Sequence, residues 1–327
     1  MLTIDQPDVL DQAQHAYPDL SYDECNHSTL TEITRQHGVD FATALFFDRV
    51  RRVPRNHAFA RTLEAGHAQQ PVGARGKVLI VPALFYRRRP TRGGDGAVVR
   101  QVAERAGLDV EVVPVESGGS ARRNAAMLCD LLPRRASEPT VIVSLSKGSA
   151  DLRLAFEEMS AMPPGLRAWV NVCGLLRGTP AIDRFQERWW RRWLLRMIIL
   201  RARGSQELPA EFTTASSSPL NRTMRTPAGV LVINLIGFPL RAHIGTPFGR
   251  LRHRQMARYG PNDGLGLLRD AIIEPGLTYP VWGADHYFRV PTVPSLLARV
   301  IAYLLHAGCL ASVIEESETG LCAGRNR

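Results

Sequence analysis

The stretch Val141-Ile142-Val143-Ser144-Leu145-Ser146-Lys147-Gly148-Ser149-Ala150 decides how the rest of the chain is read. Its first half is rich in β-branched residues with no polar alternation, the pattern of a strand buried on both faces. Its second half carries Ser146 among small residues and leads into a helical pattern. A serine held up on a sharp strand-to-helix turn has a strained backbone. The residues two before and two after it must therefore be small. Ser144 and Gly148 occupy those places. Such a turn lifts Ser146 above the carboxyl edge of the sheet, where open α/β sheets bind ligands. The helix N-terminus behind it favours developing negative charge. The plainer reading is a turn whose serine only caps the helix.

Outward from this turn, strands and helices alternate with short connections. Strands fit residues 78–81, 110–115, 140–145, 168–173, 230–236 and 279–282; helices fit 98–106, 150–159 and 294–305. Between the second and third strands, Ala125, Leu128, Cys129 and Leu132 recur at helical spacing, with Ser120 as the N-cap. This rhythm predicts an α/β fold, a mostly parallel sheet with helices on both faces. Residues 1–72 read as a polar N-terminal helical extension, with Leu30, Ile33 and Thr34 starting one amphipathic stretch and Phe41, Ala44, Leu45 and Asp48 another. Gln69, Gln70, Pro71 and Gly73 look like a linker, and the main domain then spans 73–310. An insertion at 179–228 interrupts the alternation, and 311–327 read as a loose tail.

The Ser-Leu-Ser-Lys-Gly run around Ser146 resembles the Gly-x-Ser-x-Gly elbow of the α/β-hydrolase family, particularly its lipase- and esterase-like members. Ser144 stands where that family has its first glycine. The resemblance extends by strand order, rather than residue identity, over about residues 77–305. It implies an α/β-hydrolase fold and a nucleophile, acid, histidine order along the chain. Asp263, in Pro261-Asn262-Asp263-Gly264-Leu265, then falls in the place of the acid, in a run similar to the acid-bearing loop of several bacterial lipases. His286 follows the last strand, where its loop can reach over the sheet edge as general base. Alternatives stay open at this level. His286 can be an ordinary loop histidine, and Asp263 can cap a helix starting near Leu265. Asp270 and Asp285 are competing acids.

The resemblance also implies an oxyanion hole made by the N–H of Lys147 and an N–H from the loop after the first strand, assigned by position to Leu84 or Ala83. Phe85 beside it, with Trp189 and Trp193 of the insertion, is expected to bind substrate. Gly93-Gly94-Asp95-Gly96 is either a substrate contact or a turn. In the insertion, Trp189, Trp190, Trp193, Leu194, Leu195, Ile198 and Ile199 give an apolar surface. Arg191, Arg192, Arg196 and Arg201 give a charged one. A helix of this kind lies over an acyl pocket as a lid, meets a membrane surface, or packs permanently on the core.

Bulk properties narrow the classes. The chain has 327 residues, 45% hydrophobic and 22% charged, a globular balance. Its net charge of +10 comes from arginine, since Lys77 and Lys147 are the only lysines. Runs such as Arg51-Arg52, Arg87-Arg88-Arg89 and Arg122-Arg123 sit in no nucleic-acid motif, so a solvated basic surface is expected and no nucleic-acid partner. Cys25, Cys129, Cys173, Cys309 and Cys322 have neither zinc-ligand spacing nor a disulfide pattern. Neither a metal nor any cofactor is implied. Ser146-Lys147-Gly148-Ser149 reverses the order of a phosphate-binding loop, and the 93–96 glycines lack a dinucleotide fingerprint. With no basic, apolar leader and no bilayer-length apolar run, a cytoplasmic setting is expected. The expected function is hydrolysis of a carboxylic ester with an apolar acyl part through an acyl-enzyme. Thioester hydrolysis or acyl transfer by the same triad is the alternative reaction, and a non-catalytic binding protein on a hydrolase fold the alternative class. The expected partners are a small-molecule ester or acyl substrate and, through the tryptophan–arginine stretch, a membrane surface.

Overall fold

The computed structural model describes residues 6–65, 74–88 and 93–312. The linker expected at 69–73 and the tail beyond 312 lie outside the described residues. The chain opens with four helices, α1 (Gln6–His15), α2 (His27–His37), α3 (Val39–Arg52) and α4 (Pro54–Ala65). There follow β1 (Ala74–Arg75), β2 (Lys77–Val81), α5 (Ala97–Ala106), β3 (Asp109–Val112) and α6 (Ala121–Arg135). The central motif is β4 (Thr140–Leu145), α7 (Lys147–Glu158) and β5 (Leu166–Val172). The insertion folds into α8 (Pro180–Gln186), α9 (Trp189–Arg201) and α10 (Leu208–Glu211). The chain closes through β6 (Leu231–Phe238), α11 (Pro247–Met256), β7 (Leu277–Trp282), α12 (Val293–His306) and β8 (Ala311–Ser312), which pairs antiparallel with β1.

Six strands form one sheet in the order β3-β2-β4-β5-β6-β7, with every neighbouring pair parallel. The continuous apolar runs are explained by their surroundings, because both faces of the sheet are covered. On one face Ile80, Val141, Val143 and Val170 pack with residues of α5 and α12. On the other, Leu79, Ile142 and Trp169 pack with residues of α6 and α7. The N-terminal helices complete this core. Phe46 and Phe47 of α3 pack with Ile236 and Phe238 of β6.

The strand order sets where a ligand can bind. From β2 the chain steps outward to β3, then returns to the other side of β2 as β4. The carboxyl ends of β2 and β4 therefore splay apart at a topological switch point, where a crevice opens. The loop after β2 and the turn after β4 meet there.

Candidate active site

Ser146 sits between β4 and α7 with φ 51° and ψ −113°, a left-handed backbone for a non-glycine residue. Three hydrogen bonds hold it there. Its N–H donates to Val172 O at 3.0 Å, and its carbonyl accepts from the N–H groups of Ser149 and Leu175, each at 3.1 Å. The small residues around it have distinct causes. A Cβ at Gly148 would lie 2.4 Å from Val81 O and 2.7 Å from Pro82 O, both backbone atoms that cannot swing aside. Ser144 is wholly buried and tolerated because its hydroxyl is used. Its Oγ lies 2.8 Å from Ser149 Oγ and accepts from Trp169 Nε1 at 2.7 Å.

The structure brings Ser146, His286 and Asp263 together. Ser146 Oγ is 2.7 Å from His286 Nε2, and His286 Nδ1 is 2.7 Å from Asp263 Oδ2. The partners fix the tautomer. Nδ1–H donates to the carboxylate, which leaves Nε2 to accept from the serine hydroxyl. The backbone ties the two loops together as well, since His286 N–H donates to Asp263 O at 3.2 Å. Asp263 Oδ1 accepts from the N–H groups of Leu265 at 2.9 Å and Gly266 at 2.7 Å. Burial pushes the Asp263 carboxyl up. The adjacent imidazole and the two backbone donors outweigh it and hold the group below its usual range.

The competing acids are occupied elsewhere. Asp270 Oδ1 meets His27 Nε2 at 2.9 Å, and Asp285 Oδ1 accepts from the Tyr287 N–H at 3.0 Å. No helix starts near Leu265. The carboxylate of Asp263 organises a tight turn there instead, followed by a single helical turn at Arg269–Ala271.

A cavity of about 300 Å³ opens over Ser146 and His286. Leu84, Phe85, Val99, Leu145 and Leu297 supply much of its apolar lining, and Gly93, Gly94 and Gly96 also border it. In the loop after β2, Ala83 N–H donates to Gly94 O and Phe85 N–H to Ser117 O, at 2.8 and 2.6 Å. The N–H of Leu84, between them, has no acceptor among the described residues. Lys147 begins α7, so its N–H is one of the first-turn donors a helix leaves unpaired. The Lys147 side chain does not line the cavity. Its Nζ lies 2.6 and 2.7 Å from the two carboxylate oxygens of Asp151, which also accepts from Asn124 Nδ2. Burial pushes Asp151 up to about 6 against the pull of Lys147.

Two residues expected to contact substrate lie away from this cavity. Trp189 and Trp193 do not line the cavity, and they are 75% and 61% exposed. Leu195 and Ile199 are the residues of α9 that turn inward. The helix is apolar around nearly its whole circumference, so periodicity does not choose its inner face. Sequence reading also missed Arg252 and Arg289, which do line the cavity. In a chain with so many arginines no spacing marks them.

No family model matches the chain, and no curated protein matches it in sequence. Solved structures do. A metagenomic carboxyl esterase is similar with a TM-score of 0.53 and 22% identity, over 74% of this chain and 78% of that one. The mature form of a Bacillus licheniformis lipase is similar with a TM-score of 0.50 and 15% identity, over 75% of this chain and 96% of that one. The six-stranded parallel sheet, covered on both faces and turning sharply at Ser146, is the α/β-hydrolase fold.

Proposed function

We propose that the protein is a serine hydrolase that cleaves a carboxylic ester with an apolar acyl portion through an acyl-enzyme. The observation that carries this reading is the unbroken chain from Ser146 Oγ through His286 to a buried Asp263, two contacts of 2.7 Å at the floor of an apolar cavity. Each part has a role. His286 Nε2 takes the proton of Ser146 as Oγ attacks the ester carbonyl carbon. The carbonyl π pair moves to its oxygen, which the N–H groups of Lys147 and Leu84 stabilise. Asp263 stabilises the imidazolium. Collapse of the tetrahedral species breaks the bond to the leaving oxygen, which takes the proton from His286 and departs as an alcohol. Water then repeats the sequence on the acyl-enzyme, again giving its proton to His286. The carboxylic acid leaves and Ser146 is restored.

A fluorophosphonate probe tests the nucleophile, and p-nitrophenyl esters of rising chain length test the acyl preference. The expected result is one label on Ser146, lost in Ser146→Ala, with hydrolysis falling by about 10⁶-fold in that variant. Rates should rise with acyl length until the cavity is filled. An unlabelled Ser146 in the folded protein would refute the reading. Faster turnover of matched acyl-thioesters than of oxygen esters would replace the substrate class while keeping the machinery.

The exposed face of α9 is proposed to meet an anionic membrane surface. Trp193, Met197 and Leu200 lie along one ridge, 61%, 45% and 54% exposed, with Arg192, Arg196 and Arg201 exposed beside them. Apolar and indole groups that enter the lipid interface, flanked by guanidiniums that stay with the phosphates, suit such a surface.

A further inference from the structure

The fold saturates its deeply buried arginines. Arg153 donates from Nε to Glu157 and from its terminal nitrogens to the carbonyls of Leu176, Leu220 and Arg222. Arg49 likewise reaches Asp48 and the carbonyls of Leu20, Ala16 and Tyr17. Arg252, on α11, is different. Its Nε is buried with no acceptor. Among the described residues it makes no ion pair, and its one described contact is the guanidinium lying 4.9 Å from the centre of the Phe248 ring. Arg299 also has an unpaired buried Nε, but it does not line the cavity, whereas Arg252 does.

The setting sharpens the contrast. Among the described residues no aspartate or glutamate lines this cavity, and its surface is largely apolar. The other arginine on its wall among the described residues, Arg289, lies 5.2 Å over the Tyr287 ring, close enough to Asp285 to lower that carboxyl's pKa, although burial leaves the group raised overall. A guanidinium beside a low-dielectric surface has lost part of its hydration without gaining a counter-charge. A carboxylate or phosphate on a bound molecule would supply that charge and fill the planar fork of donors.

We infer that Arg252 is a specificity subsite for a substrate oxyanion. On this account the cavity takes amphiphilic esters in which a carboxylate or phosphate accompanies the apolar portion. The inference rests on the ester-hydrolase reading and narrows its substrate class.

Matched ester pairs test it. One pair is p-nitrophenyl hexanoate and p-nitrophenyl hydrogen adipate, of equal chain length and differing in a terminal carboxylate. The other is dihexanoylglycerol and dihexanoyl phosphatidate, differing in a phosphate. The readout is the ratio of kcat/KM for the anionic over the neutral member, in which general losses of activity cancel. The wild-type protein should favour the anionic member in at least one pair, and the pair that shows it identifies the group. Arg252→Met, which keeps the length of the stem, should lower that ratio by about 10- to 100-fold, chiefly through KM for the anionic member. Arg252→Lys should keep part of the preference, and added salt should weaken it in the wild type. Thermal unfolding establishes that the variants are folded. Turnover of neutral esters with no anionic preference, or an equal effect of Arg252→Met on both members, would overturn this inference and leave the hydrolase reading intact. If Ser146 takes no fluorophosphonate label and no ester is turned over, both fall together.

Discussion

Asp263 carries an electrostatic load out of proportion to its size. It is buried, yet its carboxyl is held below the usual range by His286 and by the N–H groups of Gly266 and Leu265. A lowered pKa means that the group stays charged as pH falls past the ordinary carboxylate value of about 3.9. We expect no break from this carboxyl in log kcat/KM as pH falls through about 3.9. A limb that steepens around that pH would show Asp263 titrating in the normal range. Asp263→Asn should lower kcat by roughly 10⁴-fold, because the wrong tautomer of His286 is then favoured. Stability carries the same sign. The depressed pKa contributes stability that is complete above the unfolded value and is lost as pH falls through the folded one. In urea unfolding, the wild-type advantage over Asp263→Asn should therefore be full at neutral pH and narrow below about pH 4. Sequence could propose Asp263 only through the resemblance, since the backbone donors that hold its charge come from a turn with no residue signature beyond Gly264 and Gly266.

At the scale of elements, legibility followed the physics of burial. The strand expected at 140–145 forms as Thr140–Leu145, because an unbroken apolar run has no other stable use beneath two layers of helix. The strand expected at 110–115 forms as Asp109–Val112, at the sheet edge, where pairing on one side alone lets the chain leave early. The helix α9 was legible as a helix but not in its orientation. Its outer face leaves Trp189, Trp190, Trp193, Leu194, Met197, Ile198 and Leu200 exposed. Its N-terminus is linked to the turn that follows α11 through Glu187, which pairs with Arg191 of α9 and with Arg258 of that turn. Its C-terminal end packs near the cavity loop, since a Cβ at Gly204 would come within 3.1 Å of the Phe85 ring. A bilayer bound to α9 would thus lie beside the candidate active site. Each arginine near an anionic surface adds about 1 kcal/mol, and the tryptophans add apolar burial. Flotation with phosphatidylglycerol-containing vesicles should recover the protein, with much less recovered on pure phosphatidylcholine or at high salt. Trp189→Ala with Trp193→Ala should cut recovery at least tenfold. Undiminished flotation of that variant would refute the assignment, as would a dimer in sedimentation that it dissolves, which would give the face to a second copy of the chain.

At the scale of the whole molecule, the N-terminal helices bear on the candidate site through the sheet. Phe46 and Phe47 of α3 each place a ring 5.6 Å from that of Phe238, and Phe47 lies 4.9 Å from Trp282. Trp282 ends β7, and the loop that follows carries His286. The next residue, Gly283, donates its N–H back to Phe238 O at 3.0 Å. The floor beneath the histidine loop is thus made partly by residues more than 230 positions earlier in the chain. Sequence showed α3 as amphipathic but not what its apolar face covers, because a contact of that range leaves no local pattern. Phe46 is wholly buried, and its removal would leave a cavity between α3 and β6 that neither can collapse to fill. Phe46→Ala should cost about 3–5 kcal/mol. The loss should appear in one urea transition followed alike by tryptophan fluorescence and by fluorophosphonate labelling of Ser146, because the helices and the sheet share one core. Two separated transitions, with labelling unchanged across the first, would show instead that the helices fold apart from the sheet and that His286 is supported without them.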